Sequence, residues 1–244
     1  MNIDIHAVIG EIVADNYKTA EVFRSYGIDF CCKGNRTLND LKNADQITLD
    51  QLIRDLNLVR QDHNDFGVDY NTWPLDLLAD FIEKKYHRYI EEKLPVINEY
   101  LVKVCKVHGH AYPELYKIYE VFRASSEDLL HHMKKEENIL FPHIRKMVLD
   151  AKMGLPYQQP MFGFLKNPIA MMEDEHTIEG DRYREISTLT NNYTPPPNAC
   201  NTFVVTYAML HEFEEKLHEH IHLENNILFP KAIKEEENLK HKLN

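Results

Sequence analysis

The segment His132-Met133-Lys134-Lys135-Glu136-Glu137-Asn138-Ile139-Leu140-Phe141-Pro142 recurs 88 positions later as His220-Ile221-His222-Leu223-Glu224-Asn225-Asn226-Ile227-Leu228-Phe229-Pro230. Seven of the eleven positions are identical, and both copies keep a His and a Glu four residues apart before the run Asn-Ile-Leu-Phe-Pro. On an α-helix, residues four apart project from the same face, one turn above the other. Each copy therefore predicts an imidazole and a carboxylate side by side on a helix.

Apolar residues around each copy indicate that this His and Glu face the protein core. The first stripe contains Phe122, Leu129, His132, Glu136 and Ile139, and the second contains Leu210, Phe213, Leu217, His220, Glu224 and Ile227. An unpaired carboxylate in a core is costly and would normally neutralise itself. A half-buried ion pair would explain one copy, but two copies at matched positions favour a shared metal ion.

The composition favours a compact helical protein and argues against two classes of partner. The chain has 244 residues, of which 43% are hydrophobic, so a sizeable core is available. Its net charge of −11 argues against a nucleic-acid or anionic-membrane partner. No apolar run is long enough to span a bilayer, and the first residues lack the features of a signal peptide. We therefore expect no nucleic acid, no membrane and a cytoplasmic location.

Residues 1–62 predict a small helical domain that contains a vicinal cysteine pair. The pair, Cys31-Cys32, lies in a predicted loop between Gly27 and Gly34. A disulfide between neighbouring residues is strained, and thiols stay reduced in a cytoplasm, so we expect two free thiols.

Two interpretations of the cysteine pair are open at this point. Lys33 and Arg36 are close enough in sequence to lower a thiol pKa, which would favour redox or metal-transfer chemistry. Alternatively, the two side chains fill a gap at a helix end as small buried hydrophobes. A polar linker at residues 60–72 then separates this part of the chain from the rest.

Residues 73–238 predict four long helices that form a duplicated helical hairpin. His87 and His176 are 89 positions apart, close to the 88 that separate the two His-x-x-x-Glu motifs. Each half therefore contributes one His from its first helix, and a His and a Glu from its second. Two such hairpins pack as an up-down-up-down bundle. The candidate ligands expected on its axis are His87, His132, Glu136, His176, His220 and Glu224.

Other His residues are weaker candidates for metal ligands. His218 and His222 each lie about 200° from His220 around the helix, and His211 points to the opposite face. We therefore expect these three side chains at the surface of the bundle.

The ligand count favours a two-metal site. Four imidazoles and two carboxylates exceed a tetrahedral structural zinc site, and calcium and magnesium prefer oxygen ligands. Two metals that share Glu136 and Glu224, each with two His, fit the count. The mixed nitrogen and oxygen set favours redox-active iron, although manganese or a mixed pair stays open. Free coordination positions would accept an oxo bridge, water, O₂ or NO.

These features together resemble the RIC (repair of iron centres) family of di-iron, hemerythrin-like proteins. The resemblance covers essentially the whole chain and would not be specific if it rested on the cysteine pair alone. It implies an all-α fold, with a hemerythrin-like up-down four-helix bundle and a small N-terminal helical domain. The motifs that support the resemblance are Asp29-Phe30-Cys31-Cys32, Tyr86-His87, the segment 132–142, Glu173-Asp174-Glu175-His176, Thr194-Pro195-Pro196-Pro197 and His220-Ile221-His222-Leu223-Glu224-Asn225-Asn226.

The resemblance also implies a cofactor and a function. It implies two non-haem iron ions bridged by an oxo group and by Glu136 and Glu224, with the four His as terminal ligands. It implies repair of iron–sulfur clusters damaged by nitrosative or oxidative stress, with iron leaving the site for a damaged or apo cluster protein. Glu175, beside His176, matches an acidic family position connected with the site or its access channel. Residue spacing alone predicts no cluster repair.

Other functions are open at this level. An oxygen-carrying hemerythrin is disfavoured, because such proteins pair two His four apart on one bundle helix, whereas Met172 and Gly180 flank His176. The alternatives are an enzyme that reduces NO or O₂ and a gas-sensing binding module. A repair or iron-donor protein that is not an enzyme is favoured over both. Cys31 and Cys32 are candidates for electron or iron transfer, and a homodimer is an open question.

Overall fold

The computed structural model describes residues 3–43, 48–61 and 68–241, and its regular elements within these ranges are helices. The N-terminal segment, meaning the described residues from 3 to 61, also contains an isolated bridge between Val8 and Thr37. Its helices are α1 (Ile9–Asp15), α2 (Thr19–Ser25), a short 3₁₀-helix (Leu38–Asn43) and α3 (Leu49–Gln61). Part of the predicted linker, residues 62–67, lies outside the described residues, so the boundary between the predicted domains 1–62 and 73–238 stays a prediction.

Four long helices follow, and three of them contain a π-helical turn. The first hairpin, residues 75–152, comprises α4 (Leu75–Phe81), a π turn (Ile82–His87), α5 (Arg88–His108), α6 (Glu114–Lys135), a π turn (Glu136–Leu140) and α7 (Phe141–Lys152). The second hairpin, residues 166–241, comprises α8 (Lys166–Leu189), α9 (Asn201–Leu223), a π turn (Glu224–Leu228) and α10 (Phe229–His241). Both α5 and α8 pack against α6 and α9, which closes the ring of four helices. The predicted all-α four-helix bundle is confirmed.

Two apolar clusters lie on either side of the layer that contains the candidate ligands. One joins the N-terminal segment to bundle residues such as Phe122 and Phe213. The other, towards the opposite end, includes Leu78, Phe141 and Phe229. The polar layer is therefore enclosed by packed hydrocarbon, which excludes water and strengthens electrostatic interactions inside it. In the described ranges, no helix combines the length and apolar character needed to cross a membrane.

The N-terminal segment packs on the second hairpin, against α9 and the π turn at 224–228. Asn226 Nδ2 donates a hydrogen bond to the backbone oxygen of Phe30, at 3.2 Å. The two parts approach so closely that a Cβ atom on Gly10 would lie 2.1 Å from Asn226 Oδ1. An ion pair between Arg24 and Glu215, at 2.6 Å, also joins them.

His222 is buried at this contact, so the prediction that it lies at the surface is wrong. It is 1% exposed, Asn226 Nδ2 donates to its Nδ1 at 3.0 Å, and its ring packs against Tyr17. His218 is partly buried and packs edge-on against Phe30. Both side chains do point away from the ligands, but the N-terminal segment covers that face of α9.

The apolar stripe of the first hairpin also differs from its prediction at one position. Ile139 is 50% exposed, whereas its equivalent Ile227 is 1% exposed. Both residues lie in equivalent π turns, so the turn itself does not cause this difference. Ile227 joins the apolar cluster at that end of the bundle, because α1 and α4 pack against its turn.

Candidate metal centre

The bundle helices bring all six predicted ligands together, and each is at most 3% exposed. They form two groups in which the ligand atoms lie within 4.8 Å of one another. The first group, here called the 87/220 site, is His87, Glu136, His220 and Glu224. The second, here called the 132/176 site, is His132, Glu136, His176 and Glu224. Both carboxylates belong to both groups, as a pair of bridging ligands would.

The imidazole nitrogens of each site face one another. Nε2 of His87 lies 3.2 Å from Nε2 of His220. Nε2 of His132 lies 2.9 Å from Nε2 of His176. Two facing imidazole nitrogens without a proton between them repel through their lone pairs, whereas a cation between them accepts both.

Each carboxylate reaches both sites. Glu224 Oε1 lies 2.9 Å from His220 Nε2, and its Oε2 lies 3.3 Å from His176 Nε2. Glu136 Oε2 lies between one His of each site, at 3.3 and 3.4 Å. Yet none of the four carboxylate oxygens has a hydrogen bond of acceptable geometry within the described residues. Since buried carboxylates without donors are costly, this donor set fits two cations such as non-haem iron.

The buried charges perturb one another strongly. Burial alone would lower the pKa of His87 and of His132, but nearby carboxylates, Glu136 foremost, outweigh burial and raise both pKa values to about 10. Burial and the Glu224 charge act to raise the pKa of Glu136, but the neighbouring imidazoles outweigh them and lower it to about 2. Metal binding would displace protons from this network, so metal affinity should fall as the pH falls.

Two of the ligand imidazoles are oriented by polar groups from the second hairpin. Here we call the residue that faces Nδ1 the outer partner of a ligand. Glu175 Oε2 lies 2.7 Å from Nδ1 of His132, and Asn225 Oδ1 lies 2.7 Å from Nδ1 of His176. Glu175 therefore contacts the candidate ligands through His132 and not through its sequence neighbour His176. The hydrogen bond with His132 lowers the pKa of Glu175 to about 2.

The other two imidazoles, those of His87 and His220, differ in whether a polar group faces Nδ1. Glu137 Oε1 lies 3.1 Å from Nδ1 of His87. The Nδ1 atom of His220 is buried and has no hydrogen-bond partner among the described residues. Neither Glu137 nor Asn225 was predicted as an outer partner. The repeated motif could have identified both residues, because each directly follows the shared Glu.

The cysteine pair lies beside the 132/176 site. The thiol of Cys32 donates to the backbone oxygen of His176, at 3.1 Å. Asn225 Nδ2 donates to the backbone oxygen of Cys31, also at 3.1 Å. Asn225 therefore connects the cysteine loop directly to the His176 side chain.

The two cysteines are free thiols, as expected, with their sulfur atoms 3.6 Å apart. For Cys31, the surroundings do not favour the interpretation in which a basic neighbour lowers the thiol pKa. Its hydrogen bond with Cys32, its burial and the nearby Asp29 carboxylate raise the pKa of Cys31. Arg36 instead donates its Nε to the backbone oxygen of Lys33.

Comparison with known proteins agrees with this fold and ligand set. Residues 78–232 match the hemerythrin HHE cation binding domain, and residues 5–60 match a domain of unknown function termed ScdA_N. The iron-sulfur cluster repair protein ScdA of Staphylococcus haemolyticus is 32% identical over 92% of this chain and 97% of its own length. The iron-sulfur cluster repair protein YtfE of Yersinia pseudotuberculosis is 36% identical over 90% of this chain and 93% of its own length.

The closed helical ring and its buried His and Glu set define a hemerythrin-like metal-binding bundle. With the N-terminal match and the relatives that share nearly the whole chain, the protein belongs to the RIC (repair of iron centres) family.

Proposed function

We propose that this protein takes part in the repair of iron–sulfur clusters damaged by nitrosative or oxidative stress, and that it holds two non-haem iron ions for this purpose. His87 and His220 would bind one ion, His132 and His176 the other, and Glu136 and Glu224 would bridge them. Bound iron would supply redox chemistry and the metal that a damaged cluster has lost.

One observation carries this proposal: two buried groups of His and Glu share both carboxylates, and among the described residues those carboxylates have no hydrogen bond of acceptable geometry. A single His–Glu ion pair would not bring four imidazoles around two shared carboxylates. The repair role is supported by relatives that are named as iron-sulfur cluster repair proteins and align over nearly the whole chain.

The test uses Glu136→Leu, which removes one bridging ligand and leaves an apolar side chain in a packed site. We expect iron content to fall from about two per chain and repair of a nitrosylated [4Fe–4S] enzyme to be lost. Glu127→Leu is the control, because Glu127 is exposed on the same helix and should keep both iron and repair. Full repair by an iron-free Glu136→Leu variant would contradict the proposal.

We further propose that Cys31 and Cys32 transfer electrons or iron between the metal site and a partner. Their proximity to the His176 backbone supports this role. The double variant Cys31→Ser and Cys32→Ser should bind iron normally and repair more slowly. Cys105→Ser is the control, because Cys105 is buried and its thiol donates to the backbone of Leu115 within the bundle. Equal repair rates for all three proteins would remove the role.

The remaining expectations accompany this proposal as predictions. Damaged or apo iron–sulfur proteins are the proposed partners, with NO or O₂ as small ligands. A cytoplasmic location and a homodimer are predictions that fractionation and sedimentation would test. The protein is proposed to act as an iron donor and not as an enzyme, so NO or O₂ should react stoichiometrically, without steady turnover.

A further inference from the structure

The duplicated hairpins supply outer partners from equivalent positions, but the residues at these positions differ. Glu137 and Asn225 are 88 positions apart, and each follows a shared Glu. Glu175 and Tyr86 are 89 positions apart, and each precedes the first His of its hairpin. The duplication therefore offers four outer-partner positions, one for each ligand imidazole.

At three of these positions the side chain reaches a ligand nitrogen. Glu137 faces His87, while Asn225 and Glu175 serve the 132/176 site. At the fourth position, Tyr86 lies against His220 with its ring stacked at 5.9 Å between centroids. Its hydroxyl donates to Glu219, at 3.2 Å. Tyr86 thus occupies the position of an outer partner without satisfying the Nδ1 atom of His220.

Outer partners determine how firmly a metal is held. They fix the orientation of the imidazole and raise its basicity, and removing one typically lowers metal affinity about 10- to 100-fold. The 132/176 site has outer partners on both of its imidazoles. Among the described residues, the 87/220 site has one outer partner, Glu137, at the longer distance of 3.1 Å. The two sites share both carboxylates, so this difference is not compensated by the bridging ligands.

The 87/220 site also lies next to an open cavity. Tyr86 lines an open cavity of about 560 Å³ between the bundle and the N-terminal segment, together with Tyr17, Lys85 and Glu219. Tyr86 therefore contacts both this cavity and the His220 ring.

We propose that the two iron ions are inequivalent and that the ion in the 87/220 site leaves first, because Tyr86 stands where the other half has the carboxylate of Glu175. This inference rests on the proposed di-iron site and specifies which ion is the donated one. Tyr86 is a positioning residue in this account: it acts on the metal only through His220.

The experiment follows iron release from the anaerobically loaded ferrous protein into an excess of the chromogenic chelator ferrozine. We expect two phases of equal amplitude, with rates that differ at least about 10-fold. Tyr86→Glu should slow the fast phase towards the slow one, because it restores the carboxylate at the equivalent position. Glu175→Gln should accelerate the slow phase and leave the fast phase unchanged.

Tyr86→Phe is the matched control, since it keeps the stacked ring and removes only the hydroxyl. It should retain both phases. A single phase in the natural protein, or acceleration of the fast phase by Glu175→Gln, would overturn the inference even if Tyr86→Glu did not fold. Two irons released at one rate would reject only this inference, whereas fewer than two irons per chain would reject the di-iron proposal itself.

Discussion

The two hairpins carry the same motif in different surroundings. Asn138 and Asn226 are equivalent, yet Asn138 is exposed and donates to the backbone of its own helix, while Asn226 contacts the N-terminal segment. Glu91 and Gly180 are likewise equivalent. Glu91 forms surface ion pairs, whereas a Cβ on Gly180 would lie 3.0 Å from the sulfur of Cys32. Both copies keep the His and the Glu of the motif, but the N-terminal segment contacts the outer face of only the second copy.

The largest difference in stability between equivalent positions of the two hairpins is expected at Ile227 and Ile139. Ile227→Ala should lower the free energy of unfolding by about 2–5 kcal/mol, because it removes buried methyl groups and leaves a cavity. Ile139→Ala should change it by less than about 0.5 kcal/mol, because half of that side chain is already in water. Urea unfolding of both metal-free variants checks this. Equal losses would mean that the two turns have the same environment in solution.

The contact between α1 and the second hairpin can be tested at Gly10. Gly10→Ala should cost about 1–3 kcal/mol, because the new methyl group overlaps Asn226 Oδ1. Asn226→Ala removes that obstacle, so the double variant should be more stable than the sum of the single changes allows. Hydrogen exchange at α1 amides reports the effect. Additive losses would contradict the close approach of these two residues.

A smaller difference between the hairpins should appear in how stability depends on pH. Glu214 occupies the position equivalent to Ser126 in the first hairpin. Burial outweighs the lowering effects of Tyr193 and Arg24 and raises the pKa of Glu214 to about 7. The folded state then holds a proton that the unfolded state loses above about pH 4.5, so this residue destabilises the fold increasingly as the pH rises from 4.5 to 7.

Glu214→Gln should remove this penalty. We expect no gain in stability at pH 4.5 and a gain on the order of 1 kcal/mol at pH 8, because the side chain is only partly buried. Calorimetry at both pH values gives the difference between variant and natural protein. A gain of the same size at both pH values would reject titration of Glu214 as its cause.

The sequence predicted the fold and the proximity of the six candidate ligands because both depend on periodicity. Residues four apart share a helix face, and the offset of 88 to 89 positions reveals the duplication. What it did not predict depends on contacts between distant segments. Burial of His222 requires the N-terminal segment to lie on α9. The environment of Ile139 depends on which segment covers a helical turn, and periodicity contains no information about that.

The π turns also bear on the history of the gene. Each turn contains one residue more than a regular α-helical turn, which corresponds to the insertion of one codon. The turns at 136–140 and 224–228 lie at equivalent places in the two hairpins and begin with the shared Glu residues. The simplest account is that this insertion preceded the duplication, so the ancestral half already carried the distorted turn. Two such halves associating as a dimer would have assembled the complete ligand set before the gene was doubled.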